Sequence, residues 1–152
     1  MSDVVFREAR ARDLASIVAL LTDDGLGRNR EDASELEAYS LAFGQIEGDA
    51  DNCIIVGERL GAVIACLQLS FIRGLSRKGA MRALIEGVRV ASSERRSGVG
   101  ALLMQHAIGL AKDAGCKLVQ LTSDKRRDRS HAFYRKLGFV DTHEGFKLEL
   151  AP

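Results

Sequence analysis

The chain has 152 residues, of which 46% are hydrophobic and 28% are charged, and its formal net charge is +1. This composition excludes an intrinsically disordered chain, a collagen-like repeat and a disulfide-stapled scaffold. No apolar run approaches the ~20 residues of a membrane-spanning helix, and no secretory leader pattern opens the chain. We therefore expect one domain over residues 1–152, located in the cytoplasm and without a membrane partner.

Hydrophobic periodicity predicts the elements in chain order. The first half contains a strand, two helices and a hairpin, at residues 4–9, 11–22, 31–46, 53–56 and 62–72. The second half contains a long strand, a helix, a strand, a helix and two closing strands, at residues 81–90, 99–114, 118–122, 128–137, 139–140 and 146–150. This order predicts a mixed α/β sheet with helices on its faces.

The three cysteines, Cys53, Cys66 and Cys116, stand in or beside apolar runs. Their spacing fits no zinc-binding pattern, so we expect no metal and three reduced, structural thiols. Basic residues cluster around residues 95–96 and 125–129, and acidic residues dominate the first sixty positions. Basic clusters attract phosphate groups, although a solvated surface has the same composition.

The most informative segment is RRSGVGAL at residues 95–102, which follows the predicted long strand and begins an amphipathic helix. Two glycines, Gly98 and Gly100, allow unusual backbone angles and a close approach of a ligand. The first turn of the helix then presents unpaired N–H groups at its positive end, which suits a phosphate. A plain strand-to-helix turn is the structural alternative.

Two well-known phosphate-binding motifs fit poorly. A dinucleotide fold requires a small residue at position 103, which is Leu, and an acidic residue about 20 positions on; here Asp124 is followed at once by three basic residues. A Walker loop requires Gly-Lys-Ser/Thr, which is absent from the chain.

Two motifs together resemble a known family. Arg95-x-x-Gly98-x-Gly100 is similar to the Gln/Arg-x-x-Gly-x-Gly/Ala signature of the GCN5-related N-acetyltransferase (GNAT) family, and HAFYRKLGF at residues 131–139 resembles its last core motif, Phe-Tyr-x-x-x-Gly-Phe. The opening residues 5–9 with Asp13 also look like those of the family. The resemblance implies a mostly antiparallel central sheet of six to seven strands, flanked by about four helices and splayed between its fourth and fifth strands.

The resemblance also implies acetyl-CoA as a cosubstrate. The pyrophosphate would lie on the loop, and the pantetheine arm would pair with the backbone of the fourth strand at Val88 and Val90. Ser123 and Arg127 would contact the adenosine end. The loop residues expected to bind are Arg95, Arg96, Ser97, Gly98, Val99, Gly100 and Ala101. His131, at the start of a helix, is expected to be structural.

Acetyl transfer to an amine requires that an alkylammonium with a pKa of ~10 lose a proton, and that a thiolate be protonated as it leaves. The resemblance implies that Tyr134 is the acid; its alternative role is a packed core aromatic. Glu86 is the candidate base, because strict alternation from residue 84 to 90 sets it on the face of Leu84, Val88 and Val90. An ion pair with Arg82 or a solvated edge position is the alternative for Glu86.

The acceptor is expected to be a primary amine on a small molecule that attacks directly in a ternary complex. Residues 23–51 are rich in Asp and Glu, which favours a cationic acceptor, although a solvated helix face would look the same. Alternatives are a non-catalytic acyl-CoA sensor or toxin-neutralising partner of the same fold, and a protein or peptide N-acetyltransferase. A nucleic-acid partner is disfavoured because the basic segment lacks interleaved aromatics. A homodimer paired through the C-terminal strands is compatible with the sequence.

Overall fold

The structure, a computed structural model, describes residues 3–23 and 30–151. The chain divides into two compact units, Met1–Gln120 and Leu121–Pro152. No helix among the residues described is both long and apolar enough to cross a membrane.

Within its described residues, the first unit contains a five-stranded sheet in the order β1-β2-β3-β4-β5. The strands are β1 (Val4–Glu8), β2 (Asn52–Arg59), β3 (Ala62–Ile72), β4 (Arg82–Val90) and β5 (Leu118–Gln120). Neighbours from β1 to β4 are antiparallel, whereas β4 and β5 are parallel. The helices are α1 (Leu14–Thr22), α2 (Leu36–Glu47), the single turn α3 (Ser76–Gly79) and α4 (Val99–Asp113). The predicted mixed α/β sheet is confirmed.

The sheet is covered on both faces. On one face, Val56 and Cys66 pack in a buried cluster with Val18 of α1 and Phe43 of α2. On the other face, His106 of α4 stacks on Phe6 of β1, with ring centroids 5.5 Å apart. Helix α4 buries an apolar stripe at spacings of three and four residues, namely Val99, Leu103, Met104, Ala107 and Ala111. The site described below therefore lies on a sheet held from both sides.

The largest differences from the prediction lie at the start of α2 and near the C-terminus. Helix α2 begins at Leu36 rather than at residue 31, because Asp32 Oδ1 accepts hydrogen bonds from the backbone N–H and hydroxyl of Ser34 and forms a turn there. No strand is assigned within residues 139–151, where two closing strands were expected. The described residues thus form five strands, and the expected count of six to seven is not confirmed.

The second unit contains α5 (Asp128–Lys136). The helix begins after Arg127, with Asp128 in its first turn and basic residues in its last, which suits the helix dipole at both ends. Gly138 follows with a φ of 103°, a conformation that favours glycine. The prediction of a helix at 128–137 is confirmed to within one residue.

Candidate active site

Strand β4 contains a bulge directly after Glu86. Cys66 of β3 pairs with Arg89 and Gln68 pairs with Glu86, so the two residues between them on β4 oppose only Leu67 on β3. Gly87, the first of the two, has a φ of 64°. Glycine in the left-handed region at the first bulge position is the arrangement that bulges of this kind require. The bulge kinks β4 and redirects the side chains that follow.

Because of the bulge, Glu86 lies on a different face from Val88 and Val90, contrary to the prediction. Glu86 lies opposite Gln68, whereas Val90 lies opposite Ala65, three residues earlier on β3. Because alternate residues of a strand point to opposite faces, Glu86 and Val90 lie on different faces of the sheet. The expectation that Glu86 shares a face with Val88 and Val90 is wrong, since it assumed unbroken alternation. Glu86 is exposed and lies on the face that carries Cys66 and faces α1 and α2.

The edge of β4 beyond the bulge is unpaired on the side of β5. The β4–β5 ladder joins only Arg82, Ala83 and Leu84 to the three residues of β5. Within the described residues, β4 therefore runs from Ile85 to Val90 without a strand partner on that side. Val88 and Val90 both belong to this unpaired stretch and are partly exposed. Backbone groups there can pair with an extended ligand.

The glycine loop between β4 and α4 combines two left-handed residues. Arg96 has a φ of 67° and Gly98, which precedes α4, has a φ of 89°. A non-glycine residue in this region costs about 1 kcal/mol, so the surrounding contacts must hold Arg96 there. Residues 95–98 are all exposed. The loop is thus open to a ligand and is not sealed beneath other side chains.

The amides at the start of α4 are available to an anion. The first intrahelical bond runs from Leu102 N–H to the Gly98 carbonyl, at 3.2 Å. Among the described residues, no acceptor is assigned to the N–H groups of Gly98, Val99, Gly100 and Ala101. Together with the positive end of the helix dipole, these groups form a site that suits a phosphate or diphosphate.

Contacts of Arg59, Ser97 and Arg95 hold the loop. Arg59 at the end of β2 forms ion pairs with Glu94, just before the loop, and with Asp3, each at 3.4 Å. The Glu94 carbonyl accepts hydrogen bonds from the backbone N–H and the hydroxyl of Ser97. Arg95 Nη2 donates to the carbonyl of Asp23 at 3.2 Å. The Arg95 guanidinium therefore joins the loop to the end of α1, a contact that the sequence did not indicate.

Tyr134, Ser123 and Arg127 belong to the second unit. The Tyr134 ring makes edge contacts with Phe133 and Phe139, with centroids 5.2 and 6.0 Å apart, and is partly exposed. Such a small aromatic cluster fixes the position of the Tyr134 ring. Ser123 and Arg127 are also partly exposed, at the approach to α5.

The basic segment before α5 is partly neutralised. Asp124 accepts hydrogen bonds from Arg126 through its backbone N–H, Nε and Nη2, each at 2.9 Å. These bonds hold the pKa of the Asp124 carboxyl well below its usual range. His131 Nε2 lies 2.8 Å from the Asp124 carbonyl oxygen, in agreement with the structural role expected for His131. Arg126 is thus committed within the loop, whereas Arg127 lies at the beginning of the helix.

The acidic residues expected around the acceptor lie on exposed or partly exposed positions, except Asp24, which lies outside the described residues. At least four of them form local contacts: Glu31 accepts from the Tyr39 hydroxyl at 2.9 Å, and Asp51 pairs with Arg73 at 2.6 Å. Asp32 accepts from Ser34, and Asp49 accepts from the backbone N–H of Asp51. No group of three His, Cys, Asp or Glu side chains that could hold a metal ion is found in the part of the chain that the structure describes.

The comparisons with known proteins agree with this arrangement. The model of the Acetyltransferase (GNAT) family matches residues 14–139. The chain therefore belongs to the GNAT family of acetyltransferases, as the two sequence motifs indicated.

The similar proteins carry names that describe two different functions. An aminoglycoside N(6′)-acetyltransferase type 1 of Acinetobacter haemolyticus is 26% identical over 139 residues, which cover 90% of this chain and 89% of the relative. A crystal structure of a transcriptional regulator from Bacillus halodurans is 42% identical, with a TM-score of 0.94 and coverage of 97% of this chain and 99% of the other. An aminoglycoside 6′-N-acetyltransferase structure from Acinetobacter haemolyticus, at 21% identity, a TM-score of 0.76 and coverage of 97% and 99%, shares the fold.

Proposed function

We propose that this protein is an acetyl-CoA-dependent N-acetyltransferase that acetylates a primary amine of a small molecule. The observation that carries the proposal is that, within residues 3–23 and 30–151, the N–H groups from Gly98 to Ala101 have no assigned acceptor and the adjacent edge of β4 has no strand partner. A diphosphate joined to an extended, amide-containing arm matches these two features in charge and hydrogen bonding. Acetyl-CoA has both parts, and the family membership supports it as the acyl donor.

In this proposal the loop binds the diphosphate through the amides of residues 96–101, and the amides and carbonyls around Val88 and Val90 pair with the pantetheine arm. The end of the β4–β5 ladder at Leu84 supports the expected separation of the two strands beyond that point. Arg95 contributes positive charge while bonded to Asp23. Ser123 and Arg127 remain proposed contacts of the adenosine end, on the motif resemblance alone.

The proposed reaction is direct attack in a ternary complex. Glu86 accepts a proton from the substrate ammonium, the freed nitrogen attacks the thioester carbonyl carbon, and the C–S bond breaks as the amide forms. Tyr134 gives its proton to the departing thiolate, and its phenolate takes up the second proton that the attacking nitrogen loses as the amide forms; the proton on Glu86 is released to solvent. The exposure of Glu86 beside the bulge supports its access to an amine, directly or through one water. A backbone N–H of β4 near Val88 would stabilise the developing oxyanion.

Transfer to a small, cationic amine is supported by the curated aminoglycoside-acetylating relative and by the exposed carboxylates of α2 and its surroundings. The alternative is a non-catalytic acyl-CoA sensor of the same fold, which the regulator at 42% identity favours. A protein or peptide N-acetyltransferase is a further alternative, and it would require a peptide amine as the acceptor.

Calorimetric titration with acetyl-CoA, followed by a thiol-release assay on a panel of polyamines, aminoglycosides, amino sugars, amino acids and lysine peptides, tests the proposal. We expect micromolar to millimolar binding and turnover of at least one small amine. Absence of acetyl-CoA binding at millimolar excess would refute the proposal. Binding without turnover of any amine would favour the sensor.

We also propose that residues 1–152 act as one functional domain, that the protein is located in the cytoplasm and that it forms a homodimer. The three free cysteines are compatible with a reducing compartment. Three alternate residues near the C-terminus are exposed and apolar: Phe146 (91%), Leu148 (84%) and Leu150 (91%). Antiparallel pairing of this segment with a second copy, centred on Leu148, would set Lys147 opposite Glu149 of the other chain, and this self-complementarity supports a two-fold interface.

A further inference from the structure

A polar side-chain cluster lies on the sheet face that otherwise packs against α1 and α2. Gln68 Nε2 and Ser70 Oγ, both on β3, donate hydrogen bonds to Asn52 Oδ1 on β2, each at 3.0 Å. The same face carries Ile54, Val56 and Cys66, which belong to or pack against the apolar cluster of the helices. We call Asn52, Gln68 and Ser70 the amide cluster. None of the sequence motifs indicated it.

The amide cluster keeps unused hydrogen-bonding capacity. Because Asn52 Oδ1 accepts both bonds, the two N–H groups of its Nδ2 are left over, as are Gln68 Oε1 and the second N–H of Gln68. Among the described residues this leftover capacity has no partner, and both side chains, Asn52 and Gln68, are partly exposed. An amide on a largely apolar face costs free energy unless it is bonded. The arrangement therefore offers both donors and acceptors to a ligand.

The cluster is adjacent to the candidate base. Gln68 lies directly opposite Glu86 in the β3–β4 ladder, where paired Cβ atoms are about 5 Å apart. Residues directly opposite each other share a face, so Glu86 and Gln68 lie on the same side of the sheet, and the bulge at Gly87 moves Val90 to the other side. A molecule whose amine lies at Glu86 would thus extend over Gln68 toward Asn52 and Ser70.

We propose that the amide cluster is an acceptor subsite that binds hydroxyl groups, so that the protein prefers a polyhydroxylated amine to an aliphatic one. A hydroxyl donates one hydrogen bond and accepts others, which matches the mixed donors and acceptors of Asn52 and Gln68. An alkyl chain would leave these groups unbonded and desolvated. The inference rests on the proposed function, and it names the specificity residues of that same site.

The experiment compares two amines of the same shape. In 6-amino-6-deoxy-D-glucose the aminomethyl group is attached to a hydroxylated ring, whereas cyclohexylmethylamine has no hydroxyls. Gln68→Met removes the amide at similar volume, and Gln105→Met makes the same chemical change on an exposed position of α4. The value of kcat/KM is measured for both amines with wild type and each variant, and acetyl-CoA affinity is measured by calorimetry.

We expect wild type to prefer the amino sugar, and Gln68→Met to lower kcat/KM for that amine about 2- to 10-fold, the loss for one or two hydrogen bonds. The change for cyclohexylmethylamine should stay below two-fold, acetyl-CoA affinity should be unchanged, and Gln105→Met should match wild type. Ser70→Ala, a smaller change, should act in the same direction if Gln68→Met does not fold.

Equal losses for both amines would assign the cluster a structural role and overturn the inference. Preference of wild type for cyclohexylmethylamine, or turnover of polyamines but neither ring amine, would also overturn it while leaving the proposed function intact. Failure to bind acetyl-CoA would refute the proposed function itself.

Discussion

Arg59, the last residue of β2, forms an ion pair with Glu94, two residues before Arg96 of the glycine loop, with Nη2 and Oε1 3.4 Å apart. The side chains are 29% and 19% exposed, so the pair is only partly screened by solvent. Glu94 also accepts the Ser97 bonds through its carbonyl. The end of one strand thus fixes the backbone that precedes α4.

Arg59→Met should loosen the glycine loop. We expect the Kd for acetyl-CoA to rise about 3- to 10-fold, because part of the binding free energy would be used to order Glu94 and Ser97. Calorimetric titration measures it. Arg73→Met is the control: the Arg73–Asp51 pair is shorter, at 2.6 Å, but exposed and formed by other segments. A similar weakening in both variants would contradict a positioning role for Arg59.

Gly98→Ala should act through backbone strain rather than through a clash. No atom lies within 4 Å of a Cβ added at Gly98, but its φ of 89° costs an L-residue about 1 kcal/mol. We expect a melting temperature lowered by about 2–4 °C and weaker acetyl-CoA binding, measured by thermal unfolding and calorimetry.

The matched control is Gly109→Ala in the middle of α4, where the space is also open and no positive φ is recorded. There the substitution should stabilise the protein by about 0.5–1 kcal/mol and leave acetyl-CoA binding unchanged. Identical shifts for the two variants would argue against a special conformation at Gly98.

Glu86→Gln and Tyr134→Phe separate chemistry from binding. If both residues transfer protons, kcat should fall about 100-fold in each variant while the Kd for acetyl-CoA stays within two-fold. For Glu86→Gln, activity should recover as the pH rises toward the pKa of the free amine, because solvent then deprotonates the substrate. Steady-state kinetics between pH 6 and 10 test this, and an unchanged kcat in either variant removes that residue from the mechanism.

The Arg7–Asp13 contact should govern acid stability. Arg7 donates two hydrogen bonds to Asp13, at 2.7 and 3.0 Å, and these bonds lower the pKa of the buried carboxyl. A carboxyl whose pKa is lower in the native state than in the unfolded state, where it is ~3.9, stabilises the fold at pH values above ~3.9. This stabilisation is lost as the pH falls through the native pKa. The free energy of unfolding should therefore decrease below about pH 4, as denaturant titration across pH would measure.

Asp13→Asn should flatten that dependence and destabilise the protein by about 2–3 kcal/mol at pH 7. The loss is below that of a fully buried pair because Glu58, 2.7 Å from Arg7, still neutralises the guanidinium. Asp51→Asn, in an exposed pair with Arg73, should cost under 1 kcal/mol. If the free energy of unfolding of Asp13→Asn falls below about pH 4 in the same way as that of wild type, carboxylates other than Asp13 control the acid stability.

If the protein forms a dimer through its C-terminal segment, a substitution in that segment should change its molecular mass in solution. Leu148→Lys would set two like charges at the centre of the proposed pairing, so light scattering should show a monomer where wild type is a dimer. Leu41→Lys, at another exposed apolar position in α2, should leave the mass unchanged. A monomeric wild type would refute the dimer.

The sequence predicted α4 almost completely because its ends are marked locally, by Gly98 before Val99 and by Gly115 after the last turn. The sequence also contained a signal that the prediction of strict side-chain alternation did not use. A glycine inside an apolar strand, such as Gly87, is typical of a bulge. The bonds of Arg95 to Asp23 and of Gln68 to Asn52 join residues 72 and 16 positions apart, and no local periodicity contains such pairs. The first depends on how the end of α1 packs beside the glycine loop, and the second depends on the register of β2 and β3.

Burial of the cysteines has a practical consequence for measuring turnover. Desolvation raises the pKa of Cys66 to about 12 and that of Cys53 to about 11, and it raises the pKa of Cys116 as well. Because only a thiolate reacts with a chromogenic disulfide reagent, the Cys66 and Cys53 sulfurs will scarcely be labelled at mildly alkaline pH. Colour released in a continuous assay would then contain little contribution from these two sulfurs, and replacing the partly exposed Cys116 would remove the third.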